Sequence, residues 1–296
     1  MEIRAARARY QDIGIWAGPA VCLLMLLAGP QGGLDGPAWR TAAVGAWMAI
    51  WWATEARPVG VTAFLPLLLF APLGITSMRE AASHYANPII YLYLGGFMIA
   101  LAMQRWDLHR RIALVLLTAS GTDGRSLVGG FMLTAALLSM WMTNTSTTMM
   151  LLPIVTSVIA VMADTVKEIS EEERKNFTLC LLLGTAFGAT IGGVATLVGT
   201  PPNAFLAAFL AENYGIEISF ARWMLVGVPV TAIMLPLCWL VLTRVVYPIS
   251  FHTSTETREL LHSLKESLGP PSSAERRVGI IFLCVVAGWM TRPWLS

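Results

Sequence analysis

The sequence contains few charged residues for its length. Only 13% of its 296 residues are Asp, Glu, Lys or Arg, whereas a soluble domain carries about a quarter. Hydrophobic residues make up 56% of the chain, and the mean hydropathy is +0.64. The net charge is +2, and no basic patch is interleaved with aromatic residues, which argues against nucleic-acid binding. This composition predicts an all-α integral membrane protein surrounded by a lipid bilayer.

Motifs of cysteine and histidine are also lacking. Each cysteine stands alone in an apolar run, none forms a CxxC pair, and the histidines lack metal-ligand spacing. The residues concerned are Cys22, Cys180, Cys238 and Cys284, with His84, His109, His252 and His262. The pattern predicts buried free thiols, and it indicates neither a disulfide framework nor a transition-metal centre.

Acidic residues and histidine are missing from the middle of every apolar segment. These segments lie at 13–29, 41–54, 58–74, 88–103, 127–142, 146–163, 177–198, 201–212, 223–247 and 277–295. Proton relays and intramembrane hydrolysis normally require such groups. We therefore expect neither proton coupling nor an enzyme.

The distribution of lysine and arginine predicts a re-entrant hairpin at 127–163. With a cytoplasmic N-terminus and a hairpin that enters and leaves on one side, sixteen of the 20 basic residues lie inside. Outside remain Arg40, Arg79, Arg222 and Arg292. If 127–163 were a single crossing, the charges would split almost evenly, so we favour the hairpin.

Two polar interruptions follow each other in this apolar sequence. Residues 143–148, TNTSTT, form the tip of the hairpin, and GGVATLVGTPPN at 192–203 breaks a second helix that spans 177–212. Interrupted backbone survives at membrane depth only inside protein or beside a watery cavity. Such breaks line the midplane binding sites of secondary transporters.

The chemistry of these interruptions favours a neutral site for a cation beside an anion. Free N–H groups at a helix start attract anions, and free C=O groups at a helix end attract cations. Hydroxyl and amide oxygens add ligands for sodium. The alternative is structural: Ser and Thr often cap kinks or join neighbouring helices in membranes.

Three stretches resemble the divalent anion/sodium symporter (DASS) family. They are YLYLGGFMIALAMQRWDLHRRIAL at 91–114, SMWMTNTSTTMMLLPI at 139–154 and GGVATLVGTPPN. The resemblance implies an inverted-repeat transporter fold with a re-entrant hairpin and a broken helix. It also implies a multi-pass homodimer of the plasma (inner) membrane that works by an elevator motion.

The resemblance further implies ligands for sodium and for a small anionic substrate. Sodium would be bound by Ser139, Thr143, Asn144, Gly192, Thr196 and Gly199. The substrate would be bound by Asn144, Thr145, Thr200, Pro201 and Asn203. The family's Ser-Asn-Thr hallmark reads Thr143-Asn144-Thr145 here, so the first position keeps its hydroxyl and gains a methyl group. Sodium is the only metal expected, and no organic cofactor is expected.

The same resemblance assigns parts to the chain and suggests that it is the N-terminal part of a transporter. The first repeat and the start of the second would be present. The parts are 1–103, scaffold helices and fourth helix; 104–122, an interfacial amphipathic helix; 123–212, part of the transport domain; 213–247, a transmembrane helix; 248–276, a cytoplasmic linker; and 277–296, a transmembrane helix that starts the second repeat.

Three functions remain open at this point. The first is sodium-coupled transport of di- or tricarboxylates such as succinate or citrate, or of sulfate. The second is a sodium-independent dicarboxylate exchanger of the same family, for which Thr143 in place of serine is a faint indication. The third is a truncated, non-transporting membrane protein that keeps the motifs by descent.

Overall fold

A computed structural model describes residues 8–121, 123–165, 170–250 and 255–295 of the protein. All regular elements among these residues are helices, which confirms the predicted all-α class. The first seven are α1 (Arg9–Ala28), α2 (Gly36–Ala53), α3 (Val59–Ala63), α4 (Leu65–Leu69), α5 (Met78–Tyr85), α6 (Pro88–Arg105) and α7 (Leu108–Thr118). The others are α8 (Gly124–Ser139), α9 (Asn144–Thr165), α10 (Glu171–Gly193), α11 (Pro201–Tyr214), α12 (Phe220–Leu240), α13 (Thr255–Glu266) and α14 (Ser273–Leu295).

Five helical stretches of the described residues are long and apolar enough to cross a membrane. They are Arg9–Ala28, Met78–Arg105, Asn144–Met162, Glu171–Gly193 and Phe220–Val246. The last includes a π-helical turn, Val241–Val246, that continues α12. The first hairpin arm, α8, is shorter, and α14 is not among the five, so its assignment as a span from 277 stays a prediction.

The chain divides into two compact units, Met1–Ile90 and Tyr91–Ser296. In the first unit α1 packs closely on α2. A β-carbon built on Gly18 would lie 2.6 Å from Trp47 Cδ1 and 2.9 Å from Trp51 Cδ1, so glycine is required at this contact. The boundary falls within α6, whereas the sequence predicts the scaffold region to end at 103.

The second unit is built around α8, α9 and α10. Its core contains fully buried apolar side chains from all three helices, together with residues of α7 and α13. Examples are Phe131, Leu151, Val158 and Leu181. The turn at 140–143 joins α8 to α9, and the re-entrant course of this pair through the membrane stays a prediction. The breaks at 140–143 and 194–200 therefore adjoin helices whose side chains form this buried core.

Small residues let α10 approach α8 at backbone distance. Gly184, Gly188 and Gly192 recur every four residues and form one face of α10. A β-carbon on Gly188 would lie 2.6 Å from Met132 O, and one on Gly192 would overlap the backbone of Ala136. Close approach through small residues is the usual way that helices associate in a membrane. This contact holds the end of α10 against the end of α8.

The polar segment predicted to be a cytoplasmic linker at 248–276 contains a helix that packs on the rest of the second unit. Its helix α13 packs on α7 and α9, and Leu261 joins the core of the second unit. The amphipathic helix expected at 104–122 corresponds to α7, which buries Ala113, Leu114 and Leu117. Residues 251–254, within the same predicted segment, lie outside the described residues.

One arginine joins α7 to the segment after α13. Arg111 Nε donates to Glu275 Oε1 at 2.8 Å, and its Nη1 donates to Gly269 O at 2.9 Å. Ser272 N also donates to Glu275 Oε2 at 2.6 Å. The hydrogen bond from Arg111 is the main reason that the pKa of Glu275 lies below its usual value, and burial opposes it. The start of α14 is thereby fixed to α7.

We predict that Gly188→Ala destabilises the full-length protein by about 1–3 kcal/mol, because the added methyl group meets the backbone of Met132 and must force α8 and α10 apart. Thermal unfolding in detergent measures this change. Gly279→Ala in α14 is the control, since its β-carbon meets only Leu108 Cδ2 at 3.8 Å. Equal melting temperatures for the two variants would contradict the close contact.

We also predict that the Arg111–Glu275 pair stabilises the fold at neutral pH and loses this effect in acid. Because the folded-state pKa of Glu275 is lowered, its stabilisation is complete above the ordinary glutamate pKa of about 4.3. It disappears as the pH falls through the lower, folded-state pKa. Wild type should therefore melt above Glu275→Gln at pH 7, with the gap closing towards pH 3. A gap independent of pH would refute this.

Candidate functional site

The two helix interruptions predicted from the sequence contact each other. A β-carbon built on Gly193, the last residue of α10, would lie 2.6 Å from Asn144 Oδ1, at the start of α9. The same position is 3.4 Å from Gly199 O, and a β-carbon on Gly199 would overlap Gly193 O. The hairpin tip and the broken helix therefore form one site, with glycine where they meet.

Hydrogen bonds within the hairpin tip account for several of its hydroxyl groups. Ser139 Oγ donates to Asn144 Oδ1 at 2.6 Å, which ties the end of α8 to the start of α9. Thr143 Oγ1 accepts from Ser146 N at 3.2 Å, and Thr148 Oγ1 donates to Asn144 O at 2.9 Å. Thr143 thus acts as a helix cap. The structural alternative accounts for the hydrogen bonds of Thr143 and Thr148, while sodium binding by Thr143 stays a prediction. Among the described residues it gives no role to the Asn144 NH2 group, to Thr145 or to the fully buried hydroxyl of Thr147.

Thr196 connects the two interruptions. Its side chain is fully buried, and Oγ1 donates to Met140 O in the hairpin turn. The same oxygen accepts from Gly199 N at 3.1 Å. Thr196, expected to bind sodium, therefore holds both loops at a fixed separation, and one of its two oxygen lone pairs is left for a further contact.

Asn203 stabilises the broken helix from inside. It is 7% exposed, and its Nδ2 donates to Gly193 O at 2.9 Å and to Thr196 O at 2.7 Å. Both N–H groups of the side chain are therefore used within the chain. Contact with substrate through Asn203, expected from the sequence, stays a prediction, and in this arrangement only its carbonyl oxygen would be free to make one.

Exposure separates most of the predicted sodium residues from most of the predicted substrate residues, the exceptions being the half-buried Thr143 and the buried Asn203. Ser139 and Thr196 are 0% exposed and Gly192 and Gly199 are buried. Thr145 and Pro201, in contrast, are exposed, and Thr200 is half-buried. Asn144 is also half-buried and lies between the two groups. Buried oxygens thus form an inner layer, and an exposed rim lies outside it.

The electrostatics of the site come from helix ends, since residues 139–148 and 192–203 contain no charged side chain. The C-terminal carbonyls of α8 and α10 carry partial negative charge, and the N-termini of α9 and α11 carry partial positive charge. Pro201 and Pro202 lack N–H groups, so most free donors belong to the start of α9. Such an arrangement can bind a hard cation and an anion side by side.

Transition-metal ligands are not part of this arrangement. Within the described ranges, no three His, Cys, Asp or Glu side chains are grouped so that they could hold a metal ion. The available ligands are neutral oxygens, which suit hard cations rather than zinc or iron.

One face of α12, not predicted from the sequence, contacts the end of α10. Trp223 Nε1 donates to Val194 O at 2.9 Å, and Thr231 Oγ1 donates to Ile191 O at 3.1 Å. Between them Gly227 is buried against the backbone of the break. The spacing of four residues in WMLVGVPVT was a detectable signal, but the high hydropathy of the segment concealed it.

A sequence model of the family described as "Sodium:sulfate symporter transmembrane region" matches residues 15–295. The chain is also 35% identical over 287 residues to the sodium-dependent dicarboxylate transporter SdcS of Staphylococcus saprophyticus. It is 36% identical over 287 residues to SdcS of Staphylococcus aureus strain USA300. Each match covers 96% of this chain and 55% of the relative. The chain therefore spans about half the length of these curated relatives.

We predict that Asn203→Ala destabilises the site, because two buried carbonyl oxygens lose their donors at about 1–3 kcal/mol each. Asn213→Ala is a matched control on the same helix, since Asn213 Nδ2 bonds only the exposed Phe209 O at 3.0 Å. Thermal unfolding of the full-length protein in detergent should show a clear loss for Asn203→Ala and almost none for Asn213→Ala. Equal losses would mean that Asn203 does not support the break.

Proposed function

The chain belongs to the sodium:sulfate symporter family, and from this membership we propose that it forms part of a sodium-coupled secondary transporter of small dicarboxylates. The membership confirms the resemblance to divalent anion/sodium symporters. The observation that carries the proposal is the contact between Gly193, Asn144 and Gly199, which unites two helix interruptions in a site without charged side chains.

Sodium binds, on this proposal, in the inner layer of oxygens. Ser139 Oγ and Asn144 Oδ1 are 2.6 Å apart, and Asn144 Oδ1 and Gly199 O both lie within 3.4 Å of the position that a β-carbon on Gly193 would fill. Hydroxyl, amide and carbonyl oxygens of this kind are ligands for a hard cation. The backbone of Gly192 and the side chains of Thr143 and Thr196 complete the expected set. Sodium is the coupling ion, and the proposal requires no organic cofactor.

The substrate carboxylate binds at the exposed rim. The first N–H groups of α9, from Asn144 and Thr145, have no acceptor within the helix, and they lie at its positive end. The Asn144 NH2 group adds donors while its Oδ1 faces the cation. Asn144 therefore contacts both ions. Thr200 and Pro201, at the start of α11, border the same rim.

We propose dicarboxylates as the substrate class because the two similar Staphylococcus proteins are named as sodium-dependent dicarboxylate transporters. Tricarboxylates such as citrate, and sulfate, offer the same oxygens to the same donors. We further propose, from the family alone, that the full-length protein is a homodimer in the plasma membrane with a cytoplasmic N-terminus. Inverted repeats and an elevator motion belong to the same proposal.

We predict that Asn144→Ala abolishes sodium-driven uptake of labelled succinate by the full-length protein in proteoliposomes, because it removes one sodium ligand and the side-chain donors to the carboxylate together. Asn176→Ala is the control, since Asn176 is remote from the site and donates only to Pro248 O at 3.4 Å. It should transport as wild type does.

Two other results would change the proposal. Unchanged uptake by Asn144→Ala would refute the site assignment. Succinate counterflow that persists in choline buffer would identify a sodium-independent exchanger, which is the alternative that Thr143 in place of serine favours. A protein with neither uptake nor counterflow, and with no ligand-dependent rise in melting temperature, would be a non-transporting membrane protein.

A further inference from the structure

The carbonyl oxygens at the end of α10 accept hydrogen bonds from several different groups. Gly192 O accepts from Ala195 N at 3.0 Å, and Gly193 O accepts from Asn203 Nδ2 at 2.9 Å. Ile191 O accepts from Val194 N at 3.2 Å and also from Thr231 Oγ1 of α12, and Val194 O accepts from Trp223 Nε1 of the same helix. Carbonyls at a helix end normally bind water, caps or ligands. Here α12 donates to two of these four carbonyl oxygens, Ile191 O and Val194 O.

One face of α12 makes this contact. Trp223, Gly227 and Thr231 are spaced by four residues and therefore lie on the same side of the helix. A β-carbon on Gly227 would lie 2.7 Å from Val194 O and 2.8 Å from Ala195 O, so the backbone of α12 is pressed against the break. The opposite face exposes Leu225 and Val226.

The same end of α12 also contacts the hairpin tip. Phe220, at its first turn, stacks on Trp141 with ring centroids 6.1 Å apart. The helix is thus anchored to the hairpin turn at one point and to the broken helix at three. A helix held in this way fixes the relative position of both interruptions before any ion binds.

We propose that Trp223 and Thr231 are positioning residues that set the sodium affinity of the site. They touch neither ion. By donating to Val194 O and Ile191 O they hold the end of α10 so that Gly199 O and the hairpin oxygens face one another. This inference rests on the proposed function, since it assumes that the cation of the site is sodium.

The chain supplies matched controls on the same helix. Trp239 Nε1 donates to Arg125 O at 2.8 Å, at the far end of α8 from the site. Thr243 Oγ1 donates to Trp239 O at 2.7 Å within the π-helical turn. Trp239→Phe and Thr243→Val therefore remove the same chemical groups without touching the break. The bond lost at Trp239 joins two helices, as that of Trp223 does, and the bond lost at Thr243 lies within its own helix.

The experiment measures the sodium concentration for half-maximal succinate uptake, at saturating succinate, by the full-length protein in proteoliposomes. Trp223→Phe and Thr231→Val should each raise it about threefold to tenfold, the effect of one neutral hydrogen bond that supports a metal ligand. Trp239→Phe and Thr243→Val should change it less than about twofold on the same reasoning, because their bonds lie away from the ligands. Thr231→Ser keeps the donor and should restore the wild-type value.

The outcomes separate this inference from the proposed function. If wild type shows no sodium dependence, the proposed function fails. If wild type depends on sodium but Trp223→Phe behaves like Trp239→Phe, only the inference fails. An equal rise in the succinate KM at saturating sodium would also overturn it, because the role would then not be specific to sodium. Should Trp223→Phe not fold, the comparison of Thr231→Val with Thr231→Ser decides the question.

Discussion

Interrupted helices in an apolar medium must still satisfy their backbone hydrogen bonds, and this requirement governs the rest of the structure. Each unsatisfied N–H or C=O group costs several kcal/mol without water. The chain meets part of the requirement with side chains: Thr196, Asn203, Trp223 and Thr231 bond carbonyls at the two breaks. The groups left unbonded are then those that a ligand can use.

Close packing is what allows two interruptions to share one site. Gly188 and Gly192 bring α10 to backbone distance from α8, and Gly193 and Gly199 bring the following loop onto Asn144. A methyl group at any of these positions would separate the oxygens that face one another. Glycine weakens a helix by about 1 kcal/mol relative to alanine. Its presence in α10 therefore reflects the contact and not helix propensity.

The polar tip, the broken helix and their proximity could be predicted because proline, glycine and consecutive hydroxyls are exceptional in apolar sequence. The orientation of single side chains could not. The NH2 group of Asn203 lies on Gly193 O and Thr196 O, since a buried amide bonds whatever carbonyl the fold leaves free, and its expected contact with substrate stays a prediction. Nor does hydropathy distinguish Trp223 and Thr231 from lipid-facing residues. The packing of α13 on α7 was hidden by its charges, because only one side of that helix is apolar.

A site without fixed charge has a consequence for coupling. On the proposed function, an anion entering alone would meet only helix-end dipoles, equivalent to roughly half a charge each. A bound sodium ion doubles or triples that positive field at short range, where screening by water is weakest. Asn144 orients towards both ions at once, because its Oδ1 is held by Ser139 on the buried side while its NH2 group is directed away from that oxygen. On the proposed function, sodium adds a full positive charge beside the helix-end donors, so each ion raises the affinity for the other by the same factor. Because residues 139–148 and 192–203 contain no charged side chain, that added charge is the largest one the carboxylate meets.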